Sequence, residues 1–152
     1  MNVDPRLKTI DDCIYRISIK ALIVNPTKTK VLVCKEIEGW WNFPGGGLDY
    51  GEMPEIGLKR ELTEELNISN KDILHIDKKI QFTAFGLGKS KVPKANLFYA
   101  SRINSSAIRS SEEISGVAWI KPEKILSITL SPSLGDPKTL HQNLLKYLGV
   151  WV

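Results

Sequence analysis

Residues 44 to 68 read Pro44-Gly-Gly-Gly-Leu-Asp-Tyr-Gly-Glu-Met-Pro-Glu-Ile-Gly-Leu-Lys-Arg-Glu-Leu-Thr-Glu-Glu-Leu-Asn-Ile68. A glycine-rich loop runs into a helix. Pro54 marks the start, because proline suits a first-turn position whose N–H has no partner. Asn67 marks the end, since asparagine tolerates the left-handed cap conformation. At about 100° per residue, Leu58, Leu62 and Leu66 form one apolar stripe suited to packing on a sheet. Glu61, Glu64 and Glu65 fall on an adjacent arc, and Gly57 lies within it. A mid-helix glycine costs about 1 kcal/mol relative to alanine, which implies a close approach to the backbone there. Three carboxylates at this spacing repel one another unless a cation sits between them. Oxygen-only donors in a tight cluster suit Mg²⁺ or Mn²⁺ rather than zinc.

These residues closely resemble the signature of the Nudix hydrolase family. That signature is a Gly, five residues, a Glu, seven residues, then Arg-Glu-aliphatic-x-Glu-Glu-x-Gly-aliphatic. Gly46 and Glu52 stand at the first distance, and Arg60, Glu61, Leu62, Glu64, Glu65 and Ile68 at the second. Asn67 replaces the family's second Gly. Asparagine also caps a helix at positive φ, so little consequence is expected. Trp41-Asn-Phe-Pro44-Gly45 is similar to the family's usual lead-in.

The resemblance implies an α/β fold, the Nudix α/β/α sandwich with a mixed β-sheet, over nearly the whole chain. It also implies hydrolysis of a nucleoside diphosphate linked to another group. Glu65 matches the family's most dependable metal ligand. Glu61 and Glu64 match its companion ligands or the base for the attacking water. The Gly45 carbonyl corresponds to a group that often completes the metal shell, while Arg60 and Glu52 match residues that orient the carboxylates and the loop. The stretch from Pro44 to Gly51, with Gly46 and Gly47 in it, is expected to hold the diphosphate against the helix N-terminus, where free N–H groups favour anions. The bland alternative is an amphipathic helix with a solvated acidic face and an ordinary Arg60–Glu64 pair. The glycine loop and the full spacing favour the functional reading.

Length points to a single domain over residues 1–152 with a substantial core. An apolar content of 42% and a charged content of 25% are those of an ordinary globule. Apolar runs such as Ala21-Leu-Ile-Val24 are far too short to cross a bilayer. The first residues lack a signal-peptide core. A cytoplasmic location and no membrane partner are therefore expected. Cys13 and Cys34 both sit in strand-like runs and read as buried thiols. The net charge of +4 suits polyphosphate substrates or RNA ends. No basic block is dense enough for a nucleic-acid arm.

Working outward, residues 13–24 alternate, with Cys13, Tyr15, Ile17, Ile19, Ala21 and Ile23 on one face and Arg16, Ser18 and Lys20 on a polar one. With the turn at Asn25–Thr29 and the returning run from Val31, this predicts a hairpin over 13–37. Trp41 reads as structural. Trp40 is a candidate for stacking on a nucleobase or for shielding the sheet edge. Residues 73–85 and 95–103 read as longer strands. Between them Lys89, Lys91 and Lys94 lie in a basic loop able to touch substrate phosphates. His75 reads as exposed. Glu112-Glu113, ahead of a strand at Val117–Ile120, resembles a later family element where a Glu supplies a further metal ligand or the base. Glu113 is the better match. Pro122–Ser127 reads as a short helix. Asp136-Pro137 opens a final helix whose stripe is Leu140, Leu144, Leu145 and Leu148, with His141 at the surface beside it.

The expected function is Mg²⁺- or Mn²⁺-assisted attack of water on phosphorus in a small-molecule nucleotide. The rivals are a nucleotide-sensing module that does not cleave, an enzyme acting on RNA 5′ ends, and an isomerase on the same fold. Loss of a box glutamate would mark the sensor, and none is lost. Nucleoside triphosphates are the default substrate by size.

Overall fold

The computed structural model describes residues 5–9, 14–89 and 91–149. Seven strands and two α-helices follow in order: β1 (Arg16–Leu22), β2 (Val31–Glu36), β3 (Trp41–Asn42), β4 (Gly45–Gly47), α1 (Pro54–Leu66), β5 (Ile73–Leu87), β6 (Pro93–Ile103), β7 (Ile114–Ile120) and α2 (Pro137–Tyr147). The strands form two sheets, one ordered β4-β1-β6-β5 and the other β3-β2-β7. Among the ladders of the described residues β1 and β6 run parallel and the others antiparallel, so the β-structure is mixed as expected.

Each helix closes a core on its own side. Leu58, Leu62 and Leu66 of α1, all fully buried, join Ile19, Ala21 and Leu32 in one cluster. Burying each leucine contributes roughly 1.5–3 kcal/mol before chain entropy is counted. Leu140 and Leu144 of α2 join Phe43 and Phe98 in the second. Leu145 and Leu148 are only half-buried, so the stripe of α2 is narrower than its sequence predicts. Asp136 caps α2 by accepting the Thr139 N–H at 3.0 Å. At the end of α1, Asn67 adopts φ 50°, ψ 40°, the left-handed cap predicted for it.

Three expectations need correction. The hairpin over 13–37 is only a local turn: Asn25 N–H donates to Lys30 O at 3.1 Å, and Val24 bridges Val31. Beyond it β1 and β2 part into different sheets. Period-two alternation reports strand geometry but not which neighbour a strand chooses. The polar face of β1 is not solvated either. Ser18 and Lys20 are 2% and 4% exposed, whereas Tyr15 and Ile17 on the apolar face are 41% and 37% exposed. The cause is layering: Ile19 and Ala21 pack with the leucines of α1 and Leu22 packs with those of α2, so both faces of β1 are covered over its second half. Third, His141 is half-buried, and its Nε2 is enclosed without a hydrogen-bond partner, because α2 packs on β5 and on the 3₁₀ turn at Pro122–Leu126. His75 is exposed as read. Cys34 is a buried free thiol, while Cys13 lies outside the described residues. Among the described residues no helix is long and apolar enough to cross a membrane.

Candidate active site

The glycine loop and the face of α1 are locked together sterically. Gly45 has φ +127°, and a Cβ there would meet Ile19 O at 2.1 Å. On Gly46 a Cβ would meet the Glu61 carboxylate at 2.6 Å. At Gly57 it would meet Glu52 Oε2 at 2.7 Å and the Ile19 side chain at 2.8 Å, the close approach that its mid-helix position implied.

Arg60 is the hub of the charged network. Its Nε and Nη2 donate to the two oxygens of Glu52 at 3.0 Å each, a bidentate fork. Nη1 donates to Glu61 Oε1 at 2.8 Å and Glu64 Oε2 at 3.3 Å, and Nη2 also reaches Gly47 O at 3.1 Å. The Glu52 fork, with Glu61 beside it, holds the Arg60 guanidinium well above its ordinary value, so it is a permanent cation. One residue therefore ties the start of α1, its acidic face and the loop carbonyl together.

Carboxylate oxygens of Glu61, Glu64 and Glu113 lie within 4.8 Å of one another. Glu113 arrives there because the segment before β7 is pinned to the end of α1. Arg109 N–H donates to Leu66 O at 2.9 Å, Asn67 Nδ2 to Ser110 O at 3.2 Å, and Ser111 Oγ to Glu65 O at 2.7 Å. The Asn67 side chain thus makes a tether that a glycine at this position lacks. Glu112 is exposed and outside the cluster. Three hard oxygen donors at this spacing fit Mg²⁺ or Mn²⁺.

Glu65 stands beside the cluster, half-buried, with Oε2 accepting the Gly45 N–H at 2.8 Å. Burial pushes its carboxyl up to about 7; Lys20 and the Gly45 N–H pull it down, and Glu61 and Glu113 push it further up. Burial also raises Glu61. The Gly45 carbonyl, expected in the metal shell, accepts a hydrogen bond from Lys20 Nζ at 2.8 Å. Sequence reasoning placed Lys20 on the polar face of a strand and gave it no role.

From Glu65 and Glu113 a cleft of about 390 Å³ runs past Trp40, Lys94, Ser131 and Ser133. Its size is that of a small-molecule site. Trp40 and Lys89 are brought together, with Lys89 Nζ 5.0 Å from the indole centroid and 2.5 Å from Glu38 Oε1. The two serines went unnoticed in the sequence. Their hydroxyls lie 2.8 Å apart, and Ser133 O accepts from the buried Asn96 at 2.7 Å. An Asn in the middle of an apolar strand was the available signal.

The NUDIX domain model matches residues 14–140. The chain belongs to the Nudix family. Among solved Nudix structures, the MutT protein of Methanosarcina mazei Go1 superposes with a TM-score of 0.70 at 22% identity, covering 88% of this chain and 94% of that one. A C. elegans Ap4A hydrolase superposes with a TM-score of 0.69 at 21% identity, covering 90% and 99%. Both share the Nudix fold seen here. An RNA pyrophosphohydrolase of Sulfurovum sp. (strain NBC37-1) is 42% identical over 65 residues, 40% of this chain and 41% of its own length. The match thus spans about two fifths of the curated relative.

Proposed function

We propose that this chain, acting as a single Nudix domain, is a divalent-metal-dependent hydrolase that cleaves a diphosphate linkage in a nucleotide by attack of water on phosphorus. The observation that carries the reading is the convergence of Glu61, Glu64 and Glu113 within 4.8 Å beside Glu65 and the glycine loop. Mg²⁺ or Mn²⁺, when bound, supplies Lewis-acid charge at the phosphate oxygens. Glu61, Glu64, Glu65 and Glu113 would hold it between them. Arg60 keeps Glu61 and Glu64 aimed into the cluster and fixes the loop through Gly47 O and Glu52. Gly46 and Gly47, packed against Glu61 and Arg16, would bring the loop backbone to the diphosphate near the start of α1. The attacking oxygen forms a new P–O bond, its proton passes to whichever of Glu61 and Glu64 is not holding the ion, and the bridging P–O bond breaks with its oxygen on the leaving product. Trp40, Lys89 and Lys94 would meet the rest of the nucleotide.

A second reading, action on the 5′ triphosphate end of RNA, is favoured by the Sulfurovum relative's printed activity and by the net charge of +4. The cytoplasm is the compartment proposed, in keeping with the buried free thiol of Cys34.

A substrate panel tests the proposal. Nucleoside triphosphates, nucleoside diphosphate sugars, dinucleoside polyphosphates and 5′-triphosphate RNA are incubated with the protein and Mg²⁺, and phosphate or pyrophosphate release is measured. Turnover of at least one compound, abolished by a chelator, is expected. Tight nucleotide binding with no turnover would establish the sensor instead. Turnover confined to RNA would select the second reading.

A further inference from the structure

Ser131 and Ser133 stand in the loop ahead of α2, are 5% and 4% exposed, and line the cleft that starts at Glu65 and Glu113. Their loop is fixed to the sheets at three points. Ser131 N–H donates to Trp41 O at 2.9 Å, and Asn96 Nδ2, fully buried in β6, donates to Ser133 O at 2.7 Å. At Gly86 of β5 a Cβ would meet Pro132 O at 2.5 Å and Ser133 O at 2.6 Å, so the loop backbone lies directly on that strand. Lys94 stands two residues before Asn96 on the same face of β6. Lys94 and Ser133 converge at Gly88, where a Cβ would lie 3.8 Å from Lys94 Nζ and 3.3 Å from Ser133 Cβ. A connecting loop normally runs solvated over the surface. Burying two hydroxyls in a cleft wall costs solvation that a bound ligand can return.

We infer that Lys94, Ser131 and Ser133 are specificity-determining residues that read the base of the nucleotide, and that the base they select is a 6-oxopurine. This rests on the nucleotide reading above and deepens it by naming the base. An ammonium only donates hydrogen bonds. The two serine hydroxyls, 2.8 Å apart, spend one hydrogen between them and keep the other for a ligand. An asparagine is the usual partner of adenine, but Asn96 spends its amide hydrogens on Ala84 O and Ser133 O and has none for a base. The wall therefore presents neighbouring donors. A 6-oxopurine brings two neighbouring acceptors, O6 and N7, the pair that a lysine commonly meets. Adenine sets an amino group beside N7, and that group would face the wall donor to donor. Pyrimidines bring no N7. Trp40, in the same cleft, can stack on any base and so adds affinity without choosing.

The test is binding of GMP, IMP, 7-deaza-GMP and AMP to the whole chain, measured by calorimetry. These monophosphates hold no diphosphate linkage, so affinity is read without turnover. GMP and IMP share O6 and N7. They are expected to bind alike and about tenfold or more tighter than AMP, the range of one good two-point base contact. 7-Deaza-GMP, which keeps O6 and loses N7, should fall between. Lys94→Met should bring GMP and IMP down to the level of AMP, and Lys94→Arg should keep the preference. A double variant with Ser131→Ala and Ser133→Ala, which leaves the backbone oxygen for Asn96, should narrow it. Equal affinities for GMP and AMP in wild type, a comparison that needs no variant to fold, would overturn the inference. So would an equal loss for GMP and AMP in Lys94→Met, which would make Lys94 a phosphate ligand. The same base edge can come from a free nucleotide or from the first base of an RNA end. Comparing kcat/KM for GTP over ATP with that for triphosphate-ended RNA beginning with guanosine over adenosine tells the sources apart. If nucleotides bind without discrimination, the hydrolase reading stands and this inference alone fails. If none binds, the nucleotide reading itself fails and the inference falls with it.

Discussion

The two walls of the site are built differently, and only the second lines the cleft beyond Glu65 and Glu113. The α1 wall is made from one stretch of chain: Glu52, Arg60, Glu61 and Glu64 bond one another within a few residues and close on the loop at Gly47. The opposite wall is gathered from distant places: Trp40 before β3, Lys89 and Lys94 around the β5–β6 turn, and Ser131 and Ser133 ahead of α2. The first is held by ion pairs and steric closure, the second by a cation–π contact, an exposed salt bridge and a few side-chain hydrogen bonds. The difference teaches where chemistry and choice reside. A rigid, self-contained wall suits a fixed reaction, and a composite wall varies one element at a time and suits substrate selection.

The comparison breaks most sharply at Glu65. Glu65→Gln keeps shape and the acceptor for Gly45 N–H but removes the charge. Turnover should fall by about a hundredfold or more, the lower range for a catalytic group. Stability should move the other way in metal-free protein. The Glu65 carboxyl is raised from 4.5 to about 7 in the fold. The folded state therefore binds more protons than the unfolded state between these values, and wild-type stability falls as pH rises from 4.5 through 7. Thermal melts in chelator should show Glu65→Gln more stable than wild type at pH 8 and the gap closing toward pH 4.5. A gap that does not vary with pH would contradict this origin.

Gly46→Ala tests the steric lock on the same wall. The new Cβ meets the Glu61 carboxylate at 2.6 Å and must push it aside. A loss of about tenfold or more in turnover is expected, with melting little changed because the displaced group is the end of a side chain. Unchanged turnover would mean that Glu61 has slack the structure does not show.

On the composite wall the effect should appear in KM. Trp40→Ala removes the indole, and loss of base stacking raises KM by about fivefold or more with turnover nearly kept. An equal fall in turnover would place Trp40 with the chemistry.

The smallest change is expected at the joint between the walls. Asn67→Gly keeps the left-handed cap and loses only the Nδ2 bond to Ser110 O. Mn²⁺ affinity should weaken by a few-fold, since one exposed hydrogen bond contributes about 0.5–1.5 kcal/mol. No change would leave Arg109 and Ser111 as sufficient tethers for Glu113.

The same contrast explains what the sequence disclosed. Glu52, Arg60, Glu61, Glu64 and Glu65 lie on one helix and the turn before it, where the helical period fixes their neighbours. Pro54 and Asn67 mark its ends by local chemistry alone, and both ends are where they were placed. Glu113 was suggested by family resemblance; its place in the cluster depends on bonds spanning 43 and 46 residues, which no local pattern encodes. Lys20 was passed over for a physical reason. Alternation assigns side chains to faces, but only the layers packed on the sheet say whether a face meets water, and β1 is covered on both. Ser131 and Ser133 resemble any loop serines until the fold lays them against β6 through Asn96.

The central claim is that the α1 wall directs water to phosphorus. Hydrolysis in heavy-oxygen water of whichever nucleotide the panel identifies, with mass spectrometry of both products, tests it most directly. One label is predicted on a phosphate product and none on the product that keeps the bridging oxygen, because no residue of the glycine loop or α1 is placed as a covalent nucleophile. Label on a carbon-bound oxygen, or a trapped phosphoryl-enzyme, would contradict the account.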